Sequence, residues 1–287
     1  MSRIADRQFG HVTRQQLLEL AVPSATIAYW VTNRRLIRVH MGVYAVGHQQ
    51  HSGPARAMAA VLACGPRAVL SHESAAALWD VRPWPRIPEV TCALERRRPG
   101  IRTHQTETLT TKHVRKHRNI RVTSPARTVL DLLPRLTDAQ LIRMVNDLRL
   151  AEHMRGAELH RLLRASERVK ALIDPDEPPT RSGKEDEFLV FCRAHGLPRP
   201  RINTKVHGHE VDALFAAEMV IVEIDGWGFH NSRRSFETDR DRDADLAQHG
   251  YVTIRITSAR LEDRPAREAA RLKRILERRR RETGGGS

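Results

Sequence analysis

A chain of 287 residues with 40% hydrophobic content has room for two or three cores, which argues against a disordered chain. Its formal net charge of +15 makes a polyanion the first partner to consider, because Lys and Arg beside phosphates release counterions. Cys64, Cys92 and Cys192 are odd in number and far apart, which excludes a disulfide framework and a CxxC zinc knuckle and suits a reducing cytoplasm. The opening MSRIADRQFG has no apolar signal core, no apolar run nears membrane-spanning length, and the terminal GGGS reads as a linker or cloning remnant.

In chain order, residues 1–50 predict two short helices and a hairpin. Thr13 can cap RQQLLELA, and Ser24 after Pro23 can cap SATIAYWVTNRR. Ile27, Trp30 and Val31 share one apolar face, leaving Thr26, Tyr29, Asn33 and Arg34 on others. In LIRVHMGVYAV, Gly42 marks the turn, and strand alternation sets Arg38 and His40 on one side. This is the pattern of a winged helix-turn-helix, whose second helix enters the major groove of double-stranded DNA while its wing follows the backbone. The DNA-contacting candidates are Thr26, Tyr29, Asn33, Arg34, Arg38 and His40. The run HVTRQQLLELAVPSATIAYWVTNRRLIRVHMGVYAVG, with its L-x-R-V-x-x-G-V-Y wing, resembles the winged-helix domain of AbiEi-type antitoxins.

Residues 51–170 predict an α+β middle domain. SHESAAALWDV reads as a capped helix, PEVTCAL as a strand, and TSPARTVLDLL as a helix capped by Ser124 before Pro125. His72 and Glu73 complement the dipole of a helix's first turn, and His104, His113 and His117 lie among Arg and Lys on a solvated or phosphate-facing surface. VTSPARTVLDLL also resembles the segment that commonly succeeds the AbiEi-type winged helix. ALIDPDEPPTR, residues 171–181, is acidic and Pro-rich and reads as a linker.

Residues 182–283 form the last block, and 284–287 the remnant. Ser182 caps GKEDEFLVFCRAHG, where Glu185 precedes the apolar stripe of Phe188, Phe191 and Cys192. TKVHGHEVDALF is two strands about a Gly208 turn, with Asp212 on the second. MVIVEID then carries Glu223 and Asp225 on one face, and an adjacent antiparallel strand can set Asp212 beside them. Gathered carboxylates raise one another's pKa unless a cation intervenes. Mg²⁺, with Mn²⁺ as a substitute, takes one or two carboxylates plus water and phosphate oxygens, so Asp212, Glu223 and Asp225 are the candidate metal ligands. The competing arrangement is a buried ion-pair cluster in which Arg233, Arg234, Arg240 or Arg242 neutralises the acids.

The order TRSGKEDEFL … LPRPRINTKVHGHEVDALF … MVIVEIDGWGFHNSRRSFETDRDRDADLAQHGYVTIRIT resembles the Vsr-like nuclease domain of the PD-(D/E)xK superfamily. The resemblance implies a Mg²⁺-dependent DNA-hydrolysing core on a mixed, restriction-endonuclease-like sheet flanked by helices. It matches Asp212 to the first acid, Glu223 to the second and Glu185 to the acid of the preceding helix. Asp225 stands where the superfamily usually has Lys, and the Vsr-like branch commonly lacks that Lys too. It gives His230 a general acid or base role. In the DRDRDADL run it gives Asp239 and Asp243 supporting roles, with Arg240 and Arg242 as phosphate contacts. Trp227 and Phe229 read as core or as a wedge at a DNA step.

The reading is an α/β (α+β) multidomain, cytoplasmic, DNA-binding endonuclease, with nicking of one strand as one outcome. Its alternative is a non-enzymatic regulator or AbiEi-like antitoxin with a toxin partner, in which the nuclease-like domain is silent. An RNA-directed enzyme ranks last, since aromatic content is only 5% and no RNP motif occurs.

Overall fold

Capping and turn chemistry set the first elements. The computed structural model describes residues 1–92, 98–106, 108–225 and 233–284, the side chains of 233–239 and 284 excepted. Helix α1 (Ser2–Arg7), strand β1 (His11–Thr13), α2 (Arg14–Glu19), α3 (Ser24–Thr32), β2 (Leu36–His40) and β3 (Val43–Val46) come in that order. The strands pair antiparallel as β1-β3-β2. Thr13 closes a capping box: its hydroxyl accepts from Gln16 N, and the Gln16 side chain accepts from Thr13 N. Helix α3 begins differently from expectation. Pro23 is its N-cap, and the Ser24 hydroxyl is drawn away to accept from Arg14 Nη2 at 2.7 Å. Gly42 turns the hairpin with φ of 74°. A bulge between Arg38 and His40 breaks the alternation that would place both on one side; Arg38 is exposed and His40 half-buried. Ile27 joins Val12, Leu17 and Leu36 in the core, with Trp30 and Val31 packed on them.

The chain divides into two units: Met1–Leu136 with Asp147–Ala171, and Thr137–Asn146 with Leu172–Ser287. The rest of the first unit contains α4 (Gly53–Cys64), β4 (Val69–Leu70), α5 (His72–Leu78), β5 (Glu89–Cys92), β6 (Arg102–Gln105), β7 (Val114–His117), β8 (Ile120–Thr123) and α6 (Pro125–Leu132). Its mixed sheet runs β6-β5-β4-β8-β7. Small side chains let α4 pack closely: Ala55, Ala57, Ala59, Ala60 and Ala63 are buried. At Gly53 an added Cβ would stand 2.2 Å from the Trp84 ring. Ser124 caps α6 as expected, with Pro125 in the first turn. Ser71 sits at the N-cap of α5 but makes no cap bond, because its hydroxyl accepts from Thr91 Oγ1 at 2.9 Å. Helix α7 (Asp138–Leu150) runs from the second unit into the first, with α8 (Ala157–Ala165) and α9 (Glu167–Leu172) after it.

In the second unit α10 (Gly183–Ala194) precedes β9 (Arg201–Val206), β10 (His209–Phe215) and β11 (Val220–Asp225). Then come α11 (Arg233–Gln248), β12 (Val252–Thr257), α12 (Ser258–Asp263) and α13 (Pro265–Gly284). The sheet order is β12-β11-β10-β9, parallel between β11 and β12 and antiparallel elsewhere. His207 and Gly208, both with positive φ, make the two-residue hairpin turn between β9 and β10. Phe188, Phe191 and Cys192 are buried on α10, and Phe188 meets the Phe215 ring edge-on at 6.4 Å. The molecule is thus α+β and multidomain. Among the described residues no helix is long and apolar enough to cross a membrane.

Candidate functional site

Strand pairing gathers the polar residues of the second unit into one row. Val211 pairs with Thr204 and Ala213 with Ile202, so Asn203 lies opposite Asp212. Ala213 pairs with Val222, and one step along the same register Asp212 lies beside Glu223. In the parallel pair Glu223 faces Arg255. Directly opposed residues share a face, so Asn203, Asp212, Glu223 and Arg255 cross the sheet on one side. Glu185 joins the row from α10: its Oε2 accepts from Asn203 Nδ2 at 2.5 Å and from Arg181 N at 2.9 Å. Its Oε1 accepts from Ser182 Oγ at 2.6 Å. Glu185 is therefore both a cap of α10 and a tie to the residue beside Asp212.

Asp212 also serves the backbone. Its Oδ2 accepts from Ile224 N at 2.7 Å, filling the acceptor position beyond the last ladder pair of β10 and β11. Glu223 is 14% exposed and is ion-paired to Arg242 Nη2. Burial raises the Glu223 carboxyl to about 7; Arg242 pulls it down, but Asp212 adds to the rise. Arg255 Nη2 meets Asp243 Oδ2 at 2.8 Å, so carboxylates and guanidinium groups alternate across the site. Asp225 is half-buried and has no side-chain partner among the described residues. The ligand atoms of Asp212, Glu223 and Asp225 do not gather within 4.8 Å of one another. Of the three, Asp212 and Glu223 are neighbours in the register and are the residues that could hold a cation.

Some expected residues lie elsewhere. His230, Trp227 and Phe229 fall outside the described residues, as do the side chains of Arg233, Arg234 and Asp239. Arg240 is exposed on α11. In the first unit Tyr29, Asn33, Arg34 and Arg38 are exposed, while Thr26 and His40 are half-buried. Burial lowers the His40 pKa, with His11 and Arg98 adding to the fall.

No family model matches the chain. It is similar to two uncharacterized proteins of Mycobacterium tuberculosis. These come from strains CDC 1551 / Oshkosh and H37Rv. Each is 25% identical over 264 residues, covering 86% of this chain and 95% of the relative.

Three features of the structure were not legible in the sequence. Asn203 has φ of 49° in a strand, and an Asn amid strand residues is the available signal. Asp186, 1% exposed, accepts from Asn146 Nδ2 at 3.2 Å and from Thr180 Oγ1; burial raises it to about 6. The third is in the first unit, where the ligand atoms of His72, Glu89 and His104 lie within 4.8 Å of one another. This cluster is poorly shaped for a metal. The His72 and His104 rings stack with centroids 3.7 Å apart and planes 19° from parallel, whereas an imidazole binds a metal in its own plane. Glu89 is already met by His104 Nε2 at 2.6 Å, Arg102 at 3.3 Å and Arg135 at 3.2 Å. Burial pushes its carboxyl up, but His104 and Arg135 more than offset this and hold it at about 2. The cluster is a neutralised buried carboxylate, and His104, expected on a solvated or phosphate-facing surface with His113 and His117, is turned to Glu89 instead.

Proposed function

We propose that the protein is a cytoplasmic, Mg²⁺-dependent DNA endonuclease whose hydrolytic centre is the Asp212–Glu223 pair. The observation that carries this reading is the register placing both carboxylates side by side on one face of the sheet. There burial leaves Glu223 reluctant to ionise and electrostatically receptive to a cation. Bound Mg²⁺ supplies Lewis-acid polarisation of a phosphodiester. Asp212 stays oriented by its bond from Ile224 N, and Glu185 orients Asn203 beside it. Arg242, on leaving Glu223, becomes a donor for a phosphate oxygen. In the first unit, the succession α1-β1-α2-α3-β2-β3 and its exposed Tyr29, Asn33 and Arg34 support a winged helix that reads double-stranded DNA.

The Arg242–Glu223 ion pair also favours a second reading, a DNA-binding regulator or antitoxin in which that pair is permanent. Supercoiled plasmid separates the two. Nicked product with Mg²⁺ or Mn²⁺, absent with EDTA and with Glu223→Ala, supports the endonuclease. Gel shifts that ignore the metal, with no cut product at any enzyme concentration, support the regulator.

A further inference from the structure

A groove of about 1160 Å³ opens in the first unit, lined by Arg3 and Arg7 of α1, Arg14 of α2, and Lys116 and Arg121 of the β7–β8 hairpin. Glu19 is its one acid among the described residues. None of these five cations has an ion-pair partner among the described residues; Arg14 donates only to the Ser24 hydroxyl. Their neighbours in the same hairpin behave differently. Arg115 is paired with Glu158 and Arg118 with Asp80.

The arrangement is also locally unfavourable. Lys116 and Arg121 are direct cross-strand partners, and like charges opposed in this way destabilise a strand pair. Arg3 and Arg7 stand one helical turn apart, where like charges again repel. Two repulsive pairs on separate elements line one groove, and no carboxylate is supplied to either. Such a surface is completed by an anion carrying regularly spaced charge.

The geometry points to this groove as a second DNA-backbone site, in which Arg3, Arg7, Lys116 and Arg121 hold phosphates of a duplex. It is distinct from the helix and wing residues Tyr29, Asn33, Arg34 and Arg38. The inference rests on the DNA-binding half of the proposed function and is independent of the nuclease half.

The test is fluorescence anisotropy of a labelled DNA duplex with the full-length chain in EDTA, across a salt series. Lys116→Gln/Arg121→Gln should flatten the slope of log affinity against log salt by about 1.8, the release expected for two lost phosphate contacts. The same variant should melt at or above the wild-type temperature, since a repulsive pair is gone. Arg3→Gln/Arg7→Gln on α1 should flatten the slope similarly, which guards against misfolding of either variant. Wild-type slope and affinity in both variants would overturn the groove while leaving the winged-helix reading, which Arg34→Ala/Arg38→Ala examines separately. Loss of binding to duplex RNA alone, with duplex DNA unaffected, would also overturn it. Failure of the wild-type chain to bind duplex DNA would end both.

Discussion

Replacing Glu223 with Gln separates a functional acid from a structural one. Glu223 goes from an ordinary 4.5 to about 7 on folding, chiefly through burial. A raised carboxyl pKa means that the folded chain binds more protons than the unfolded chain between those two values. Stability contributed by this group is therefore complete below 4.5 and is lost as pH rises toward 7. At about 1.4 kcal/mol per pKa step, the loss between pH 5 and pH 8 is on the order of 2–3 kcal/mol. Glu223→Gln keeps the shape and has no such titration. Urea melts of both proteins at the two pH values should show the variant gaining on the order of 2–3 kcal/mol relative to wild type on going from pH 5 to pH 8. Plasmid cleavage by the variant should be lost under the same conditions. A folded state weakened by about 3–5 kcal/mol at pH 8, as when a buried ion pair is broken, would instead make Arg242–Glu223 a structural pair.

Other substitutions examine the frame around the site. Glu89→Gln should destabilise the first unit by about 3 kcal/mol, toward the low end for a buried pair because Arg102 and Arg135 reach solvent; a chemical melt measures it. Because the Glu89 carboxyl is held at about 2, its contribution is present above 4.5 and should fade in acid melts between 4.5 and 2. Gly53→Ala should cost about 1–3 kcal/mol by driving a methyl group into the Trp84 ring, visible as a lowered melting temperature. Asn203→Ala should lose about 1–2 kcal/mol through its left-handed backbone, whereas Asn203→Gly should spare the backbone and still untie Glu185 from the row.

Local chemistry made much of the fold legible. The Thr13 and Ser124 caps, the Gly42 and Gly208 turns, and the one-sided placement of Glu223 and Asp225 depend on residues a few positions apart. Pro23 displaced Ser24 as a cap because Arg14, ten residues earlier, competes for the hydroxyl. The bulge at Arg38 and His40 has no local signature and overrides strict alternation. The site was half legible for the same reason. Alternation finds acids on a strand, but the Asn203–Asp212–Glu223–Arg255 row exists only once four strands are in register. Arg242 could be named among the possible neutralising groups, yet only packing of α11 selects it for Glu223. Glu89 was missed because its partners Arg102, His104 and Arg135 come from later segments.

The proposed site requires Asp212 and Glu223 together to hold a divalent cation. Electron paramagnetic resonance of Mn²⁺ titrated into the full-length chain addresses it without requiring turnover. Bound Mn²⁺ that Mg²⁺ displaces, and that disappears in both Asp212→Asn and Glu223→Gln, is the result predicted. Mn²⁺ that stays free in the wild-type protein, or that binds both variants as well as the wild type, would rule out a cation held by this pair.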